Sequence, residues 1–447
     1  MNQNLQLKKE SIVRVVHLAK YHSPHYGGME SHVETLSQKQ AQLGAEVCIV
    51  CVNSFNRKMQ LSQRTKTEIT FDENNVQVIK VGRYFSFLKL DFCPSLILYV
   101  LYFSKLPNTI FHVHTPNPTM LIALVLAGKI RNMAITHHSD AIKQRLLKYL
   151  FRPIEHLIYR QAAIVLTTSK AYQKGSKFLR LYSKNLGVLP LGSDLSAFTN
   201  PHPTILSRAR QLKVEHGDIL WVAVGRLVYY KSFHIALAAL RDVPGKLLII
   251  GTGKLMADLQ KIAQELDLVE RIVWWGRAST ADLMAAYHAA TALWFPSNIR
   301  SEAFGMVQVE AMASGCPAIN CDIPGSGVPW VCRHEREGLT VPINDARAFG
   351  AAARRLLEEP GLHDRLSQGA RQRALKFSDE LMAERSLAIY QKILQRQQSK
   401  KSLLLTPGLE REVSLASAAI ELEISEDLAP ASSNGQHRVD RSEYENR

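Results

Sequence analysis

Short apolar segments typical of buried strands alternate along the chain with amphipathic segments, and this alternation occurs twice. Such a pattern predicts parallel sheets with helices on both faces. The predicted strands of the first half are residues 12–18, 46–52, 76–81, 110–113, 134–136, 163–167 and 186–189. Those of the second half, which begins after the polar segment 200–217, are residues 220–224, 246–250, 272–275, 292–295 and 318–320. We therefore expect an α/β protein with two doubly wound, Rossmann-like domains that face each other across a ligand-binding cleft at the carboxyl ends of their strands.

The composition is that of a globular protein without membrane spans. The chain has 447 residues, of which 46% are hydrophobic, enough for two or three domains that each bury a core. Its longest apolar runs, residues 96–103 and 120–127, are much shorter than the roughly 20 residues that a membrane-spanning helix needs. The apolar run after Lys8 and Lys9 is interrupted by Arg14, so no signal peptide is predicted and we expect a cytoplasmic protein.

Two of the six cysteines, Cys48 and Cys51, have the C-x-x-C spacing of some metal and redox sites. They lie within the predicted strand 46–52, where positions three apart face opposite sides of the sheet. The two sulfur atoms therefore cannot reach one metal ion. We expect both cysteines to be buried apolar residues.

Positive charge is concentrated in the first 400 residues. Residues 401–447 contain 5 Lys/Arg and 9 Asp/Glu, which predicts a disordered acidic tail with a net charge of −4. The whole chain carries +15, so residues 1–400 carry +19. Residues 129–184 alone contain 12 Lys/Arg and 2 Asp/Glu. One alternative function is therefore non-enzymatic binding of an anionic surface. No motif typical of nucleic-acid binding accompanies the charge, so no nucleic-acid partner is expected.

Two carboxylates, Glu302 and Glu310, lie around a predicted strand-to-helix turn. The strand ends at Phe295, and a helix over residues 306–314 is expected to begin at Gly305. A helix N-terminus in a cleft suits a pyrophosphate, because its N–H groups are unpaired and its dipole is positive. Glu302 then suits the hydroxyls of a sugar and Glu310 those of a ribose. By spacing alone, two ordinary surface charges are the commoner interpretation.

Six motifs occur in the order seen in glycosyltransferase family 4, and the chain resembles that family over roughly residues 11–397. The motifs are Gly27-Gly28-Met29-Glu30, Thr136-His137-His138-Ser139-Asp140, Pro190-Leu191-Gly192-Ser193-Asp194, Gly225-Arg226-Leu227 with Lys231, Gly251-Thr252-Gly253-Lys254-Leu255, and the segment from Glu302 to Glu310. The resemblance implies a two-domain GT-B fold, transfer of a sugar with retention of configuration, and no metal. It also implies an acceptor-binding domain at 11–197, a donor-binding domain at 218–378 and a crossover helix at 379–397 that returns to the first domain.

The resemblance assigns catalysis to four residues and donor binding to eight. The catalytic residues are His138, Arg226, Lys231 and Glu302, and the donor-binding residues are Gly27, Gly28, Gly225, Phe304, Gly305, Met306, Val307 and Glu310. Arg226 and Lys231 would neutralise the departing diphosphate, and His138 would hydrogen-bond a hydroxyl of the transferring sugar. No residue is expected to be a covalent nucleophile. Ala303 stands where the family often has glycine and Ser193 where an apolar residue is common, so we expect altered shape but not lost activity.

Two other enzyme classes have partial motifs. His112 and His114 are spaced to share one face of a strand, and with His138 and Asp140 they suggest a metallohydrolase site. The resemblance instead leaves these histidines beside the cleft with no metal or other cofactor. The Gly251-Thr252-Gly253 motif is similar to a dinucleotide fingerprint, but Met256 occupies the position of its third glycine, which disfavours a nicotinamide enzyme.

The form of the motif from Gly225 to Lys231 is similar to that of bacterial mannosyl- and rhamnosyltransferases of envelope polysaccharide synthesis. The expected partners are a nucleoside-diphosphate sugar, with a GDP-hexose as first choice and a UDP-sugar as the alternative, and a lipid-linked glycan acceptor. An anionic membrane surface is a further expected partner, because residues 141–160 mix cations with large apolar side chains. Their cations are Lys143, Arg145, Lys148, Arg152 and Arg160, and Pro153 is predicted to break the stretch into two pieces.

Overall fold

The computed structural model describes residues 12–23, 27–53, 65–87, 90–139 and 145–405. The acidic tail predicted at 401–447 lies outside the described residues from position 406 onward. Within these ranges, the residues up to Leu394 form one compact unit. No helix within these described ranges is long and apolar enough to cross a bilayer.

The described residues of the first half form ten strands. They are β1 (Arg14–Leu18), β2 (Glu46–Val52), β3 (Glu68–Phe71), β4 (Gln77–Val81), β5 (Phe85–Phe87), β6 (Leu90–Phe92), β7 (Thr109–Thr115), β8 (Met133–His137), β9 (Ile164–Thr167) and β10 (Leu186–Val188). Eight of them form one sheet in the order β10-β9-β8-β7-β1-β2-β4-β3, and β5 pairs with β6 in a separate hairpin. All neighbours in the sheet are parallel except the edge strand β3, which is antiparallel to β4.

The second half forms a wholly parallel six-stranded sheet. Its strands are β11 (Leu220–Val224), β12 (Lys246–Ile250), β13 (Ile272–Gly276), β14 (Ala292–Phe295), β15 (Ala318–Cys321) and β16 (Gly338–Val341). Their order in the sheet is β13-β12-β11-β14-β15-β16. Successive strands are added to one side of β11 and then, from β14 onward, to its other side, so the strand order reverses between β11 and β14. Ligands of open α/β sheets bind at such a reversal, outside the carboxyl ends of the strands. The prediction of two doubly wound domains is confirmed.

Helices cover both sheets. They are α1 (Gly28–Gln42), α2 (Ser95–Ser104), α3 (Pro118–Ala127), α4 (Arg145–Gln161), α5 (Lys170–Gly175), α6 (Ser196–Thr199), α7 (Pro203–His216), α8 (Phe233–Leu240), α9 (Met256–Glu265), α10 (Thr280–Ala289), α11 (Met306–Ala313), α12 (Val328–Val331), α13 (Ala346–Glu358), α14 (Leu362–Ala374) and α15 (Asp379–Leu405). The polar segment 200–217, after which the second half was expected to begin, is mostly helix α7. Its Ile205, Ala209 and Leu212 belong to the core of the second half, so burial of these three residues outweighs the polar composition.

The two cysteines of β2 face opposite sides of the first sheet, as predicted. Cys48 packs in the core on one face and Cys51 in the core on the other. All six cysteines are buried and unpaired. Burial raises the pKa of each thiol of this strand, which keeps both in the unreactive protonated form.

Helix α4 differs from its prediction in two ways. It runs without interruption through Pro153, so the predicted break at that residue is wrong. Its apolar residues Ile158 and Tyr159 are each 1% exposed and pack in the core of the first half, which offsets the cost of about 3 kcal/mol of a proline inside a helix. These two side chains therefore face the protein and not a membrane. Lys143 lies outside the described residues.

The C-terminal helix α15 completes the core of the first half. Six of its residues pack against six residues of the first half, namely Met382, Ala383, Ile389, Tyr390, Ile393 and Leu394 against Val15, Leu36, Ile110, Ala134, Leu166 and Leu189. The backbone of Ser193 pairs with that of Ser378 just before this helix. A Cβ atom on Gly192 would lie 2.3 Å from the carbonyl oxygen of Ser378, so only glycine fits there. Ser193 contributes its backbone to this pairing, which explains why a polar residue is tolerated at that position.

Candidate active site

The two charged groups at the centre of the predicted site are in contact. Lys231 follows β11 and Glu302 follows β14, and Nζ of the lysine lies 2.6 Å from Oε2 of the glutamate. Their side chains are only 11% and 14% exposed. The ammonium group also lies 4.7 Å from the centre of the Phe295 ring. The structure thus brings together a cation and a carboxylate that are far apart in the sequence, in a partly desolvated position.

Glycines make room for this arrangement. A Cβ atom on Gly225, whose φ is +147°, would lie 3.2 Å from Cε of Lys231. A Cβ atom on Gly251 would lie 1.9 Å from the carbonyl oxygen of Gly225, and one on Gly253 would lie 2.3 Å from that of Leu227. The Gly-x-Gly motif therefore packs closely against the loop that carries Lys231, and this packing explains both of its glycines.

Arg226 has a different position from Lys231. It is exposed, and its Nη2 donates to the hydroxyl of Tyr230 at 3.1 Å. The structure therefore does not bring Arg226 into the Lys231–Glu302 pair. An exposed guanidinium on the loop that follows β11 remains available to an anionic ligand.

Helix α11 begins at Met306 with Gly305 as its N-cap, as predicted. Gly305 has a φ of +80°, and a Cβ atom there would lie 2.9 Å from both Cζ of Phe295 and Nε2 of Gln308. No side chain caps the helix, so the first-turn N–H groups, which include those of the half-buried Met306 and Val307, are available to an anion.

Phe304 is 2% exposed and packs against Trp330 and Phe377. Its side chain therefore belongs to the core, and only its backbone is available to a donor.

Glu310 lies within helix α11 and does not contact the Lys231–Glu302 pair. Its Oε2 accepts a hydrogen bond from the hydroxyl of Tyr287 at 3.3 Å. Burial raises the pKa of the Glu310 carboxyl above its ordinary value, and the hydrogen bond from Tyr287 partly opposes this shift. Tyr287, which the sequence analysis did not identify, orients this carboxylate.

The loop that carries Glu302 is fastened to the first half of the chain. The guanidinium of Arg300 lies 4.3 Å from the centre of the Tyr172 ring, and its Nη2 donates to the Tyr172 carbonyl oxygen at 3.1 Å. Thr168 Oγ1 donates to the carbonyl oxygen of Ala303 at 3.5 Å. Because Ala303 takes part through its backbone and has no positive φ, alanine fits where the family often has glycine. No local pattern in the sequence distinguished Arg300 or Tyr172.

His138 lies just beyond the carboxyl end of β8, where its backbone N–H donates to the carbonyl oxygen of Thr115 at 3.0 Å. Its ring Nε2 lies 3.1 Å from Nδ1 of His114. The Nδ1 atom of the neighbouring His137 forms a hydrogen bond with the hydroxyl of Tyr159 at 2.7 Å. The ring centre of His137 is 6.3 Å from that of Tyr172. The end of β8 is thus close to Tyr172, which contacts Arg300 in the loop that carries Glu302.

Gly27 and Gly28 lie at the start of helix α1. Gly27 is the extended N-cap and Gly28 is the first helical residue. A Cβ atom on Gly28 would meet no atom within 4 Å, so the described residues leave open space there. This start of the helix has no side-chain cap either, and its N–H groups are suited to an anion.

The predicted histidine pair lies in a larger cluster. The ring centres of His112 and His114 are 4.2 Å apart, and His17 and His32, which the sequence analysis missed, lie beside them. Two sets of three histidines each bring one nitrogen per ring within 4.8 Å of one another. The sets are His17 with His112 and His114, and His32 with His114 and His138. Both nitrogens of His112 already have partners, Thr136 at 2.6 Å and Tyr390 at 2.7 Å. Asp140, the carboxylate of the metallohydrolase hypothesis, lies outside the described residues.

Two family models match the chain. The model described as "Glycosyltransferase Family 4" matches residues 26–197, and the model described as "Glycosyl transferases group 1" matches residues 207–373. The D-rhamnosyltransferase WbpZ of Pseudomonas aeruginosa is 32% identical over 264 residues, which are 59% of this chain and 68% of that protein. The O-antigen chain mannosyltransferase C of Escherichia coli is 25% identical over 381 residues, which are 85% of this chain and 97% of that protein. The structure of HepE from Anabaena in complex with UDP has a similar fold, with a TM-score of 0.68 at 18% identity over 85% of this chain and 100% of that one.

Proposed function

The chain belongs to glycosyltransferase family 4, and from this premise we propose that it is a retaining enzyme that transfers a hexose from a nucleoside-diphosphate sugar to a growing envelope polysaccharide. The observation that carries the proposal is the Lys231–Glu302 contact on the loops beside the uncapped start of helix α11. Positive charge and unpaired N–H groups suit a diphosphate, and a carboxylate beside them suits sugar hydroxyls.

In this mechanism the second half of the chain, residues 218–378, binds the donor and the first half, residues 11–197, binds the acceptor. Lys231, Arg226 and the N–H groups of helix α11 stabilise the charge that develops on the departing diphosphate. Glu302 and His138 orient the transferring sugar, and Glu310 binds the ribose. The acceptor attacks from the face that the diphosphate leaves, so configuration is retained without a covalent intermediate on the enzyme.

The proposed donor is a GDP-hexose, with mannose or rhamnose as the sugar. Two relatives with these activities in their names, a D-rhamnosyltransferase and a mannosyltransferase, support this choice. A UDP-sugar is the alternative, since the similar HepE structure contains UDP. No metal or other cofactor is proposed, because Lys231 and Arg226 supply the positive charge that a cation would otherwise provide.

The proposed acceptor is linked to a lipid at the inner face of the cytoplasmic membrane. Support comes from an exposed apolar surface on the first half, formed by the hairpin β5–β6 and by helices α2 and α3. Phe85, Phe87, Leu98, Tyr102 and Leu126 are each more than half exposed on it. A groove of about 280 Å³ runs between the hairpin and the two helices. Large exposed apolar patches mark protein or membrane contacts, and aromatic side chains suit the interface of a bilayer.

The proposal is tested by donor binding and by analysis of the product. Thermal unfolding is followed with GDP-, UDP-, ADP- and dTDP-sugars, and the preferred donor raises the melting temperature most through mass action. Transfer is then measured with that donor, and the anomeric configuration of the product is read by NMR. We expect a GDP-sugar to stabilise the protein and retention to be observed. Activity that disappears when a stoichiometric metal is chelated, or an inverted product, would overturn the mechanism.

A further inference from the structure

A continuous row of hydrogen-bonded side chains runs from the end of β8 to the C-terminal helix. His138 Nε2 lies 3.1 Å from His114 Nδ1, His114 Nε2 lies 3.0 Å from His17 Nδ1, and His17 Nε2 lies 2.8 Å from Oε1 of Gln40. We call these four residues the histidine chain. Its three inner members, His114, His17 and Gln40, are completely buried. The amide of Gln40 connects the chain to Ser386 on α15, at 2.7 Å.

Ser386 fixes the orientation of the Gln40 amide. The serine hydroxyl donates its single proton to the carbonyl oxygen of Ala383 at 2.7 Å. Its Oγ must therefore accept a hydrogen bond from Gln40, which requires the Nε2 end of the amide to face the serine. The Oε1 end then faces His17 and accepts from it.

The orientation of the amide determines where each proton lies. A neutral imidazole has one donor nitrogen and one acceptor nitrogen. Because His17 donates to Gln40 through Nε2, its Nδ1 accepts from Nε2 of His114. His114 then accepts through Nδ1 from Nε2 of His138. His138 consequently carries its proton on Nε2 and has a lone pair on Nδ1.

The rings of His17, His114 and His138 are neutral near pH 7. Burial lowers the pKa of His17 to about 4 and that of His138 to about 3. It lowers the pKa of His114 well below the ordinary value, and the neighbouring histidines add to the effect.

A second series of hydrogen bonds begins at Gln40, and each residue in it donates to the next. Gln40 Nε2 also donates to the hydroxyl of Tyr390 at 3.3 Å, and Tyr390 donates to Nδ1 of His112 at 2.7 Å. His112 then donates through Nε2 to Thr136 Oγ1 at 2.6 Å. This second series is therefore compatible with the amide orientation that Ser386 requires.

We propose that Gln40, His17 and His114 are positioning residues that hold His138 as the Nε2–H tautomer, so that its Nδ1 accepts a hydrogen bond from a sugar hydroxyl. Among the described residues, Nδ1 of His138 has no partner, and the side chain is half-buried at the carboxyl end of β8. The role of the hydroxyl rests on the proposed function, whereas the tautomer does not. Helix α15 thereby determines a hydrogen-bond direction at the sugar site, and the site selects a substrate that has a hydroxyl facing Nδ1.

The tautomer is measured directly by ¹⁵N NMR of histidine-labelled protein at pH 7 without substrate. The His138 signals are identified by their absence in a His138→Gln variant. We expect Nε2 to be protonated and Nδ1 to be unprotonated. A proton on Nδ1, a doubly protonated ring, or a stoichiometric metal bound to the nitrogens of His32, His114 and His138 would overturn the proposal. The NMR measurement does not depend on transferase activity. It therefore tests the tautomer even if the proposed reaction is wrong.

A matched pair of variants at His17 tests the positioning role. In His17→Gln the amide can accept from His114 and donate to Gln40, as the imidazole does, whereas His17→Leu interrupts the histidine chain. We expect turnover to fall by about twofold to tenfold in His17→Leu, the scale of one hydrogen bond, with little change in the donor KM. In His17→Gln turnover should stay near that of the wild type. Equal loss in both variants, or no loss in His17→Leu, would contradict the proposal, and circular dichroism establishes that both variants fold.

Discussion

Lys231 and Glu302 meet across two loops that follow adjacent strands, with 2.6 Å between Nζ and Oε2. We expect Lys231→Ala and Glu302→Gln each to lower the transfer rate about 100-fold or more, because each removes a preorganised charge beside the reacting groups. Steady-state kinetics at saturating donor measure the effect. Lys261→Ala, which removes a cation whose side chain is 77% exposed on the same half, is the control. Near wild-type turnover in both site variants would show that the pair is structural.

Glu310 and His138 should have different kinetic signatures. A ribose contact is the same before and during the reaction, so Glu310→Ala should raise the donor KM with little change in kcat. His138 touches the reacting sugar, so His138→Ala should lower kcat. Tyr287→Phe removes the hydrogen bond that orients Glu310 and should raise the donor KM by a smaller factor than Glu310→Ala. An unchanged KM in Glu310→Ala, or an unchanged kcat in His138→Ala, would remove that residue from the site.

Gly305→Ala and Gly361→Ala form a matched pair, since both glycines are N-caps with positive φ. At Gly361 a Cβ atom meets nothing within 4 Å, so alanine should cost only the backbone strain of about 1–2 kcal/mol. At Gly305 the added atom collides with Phe295 and Gln308, so the loss should be larger and donor binding should weaken as the start of α11 shifts. Urea unfolding and donor-induced thermal shifts measure the two effects. Equal losses of stability in the two variants would contradict the crowding seen at Gly305.

Stability should fall as the pH drops below about 6.5. Burial lowers the pKa values of five clustered histidines, His17, His32, His112, His114 and His138. A histidine with a lowered pKa in the folded state is neutral there, whereas the unfolded chain takes up a proton near pH 6.5. Their contribution to stability is therefore complete above pH 6.5. For His17 it is lost progressively between pH 6.5 and about 4, with a slope of about 1.4 kcal/mol per pH unit.

Urea unfolding at pH 5, 6 and 7 measures this slope. In His17→Gln the number of protons taken up on unfolding at pH 5 should decrease by about one. A free energy of unfolding that is constant between pH 5 and 7 would mean that the histidines are not buried as neutral groups.

Binding to anionic vesicles should depend on the exposed aromatic hairpin. Phe85 and Phe87 are 58% and 68% exposed, so a Phe85→Ser/Phe87→Ser variant should sediment less with anionic vesicles than the wild type. A Lys143/Arg145/Lys148→Ser variant should also bind less through lost charge, and the binding that remains should depend less on salt than that of the wild type. Val214→Ser, which replaces an apolar residue 87% exposed on the second half, is the control. Equal binding to neutral and anionic vesicles, or none to either, would contradict the membrane proposal.

The sequence predicted best those strands that are buried on both faces. The bounds of β2, β11, β12 and β14 agree with the predicted segments, because central strands of parallel sheets are continuous apolar runs. Strand β3 was missed because it is a four-residue edge strand, exposed along its whole length, whose alternation of polar and apolar residues is too short to stand out.

In the candidate site, the motifs located the residues that contact each other but not the residues that support them. Lys231 and Glu302 each lie in a recognisable motif. Gln40, Arg300 and Tyr172 do not, because each acts through a partner far away in the sequence, such as Ser386 for Gln40. A single sequence contains no signal for contacts of that kind, since they depend on how helices and loops from both halves come together.

The packing of α15 on the first sheet constrains the order of events during synthesis. Val15, Ile110 and Leu166 are made early, but the residues that cover them, such as Met382 and Tyr390, leave the ribosome after the whole second half. The first half therefore emerges with an apolar face that its own sequence cannot cover, while the second half already has every strand of its sheet. A nascent chain that stops before residue 379 ends with this face open to water, and so presents the kind of surface that chaperones and proteases recognise.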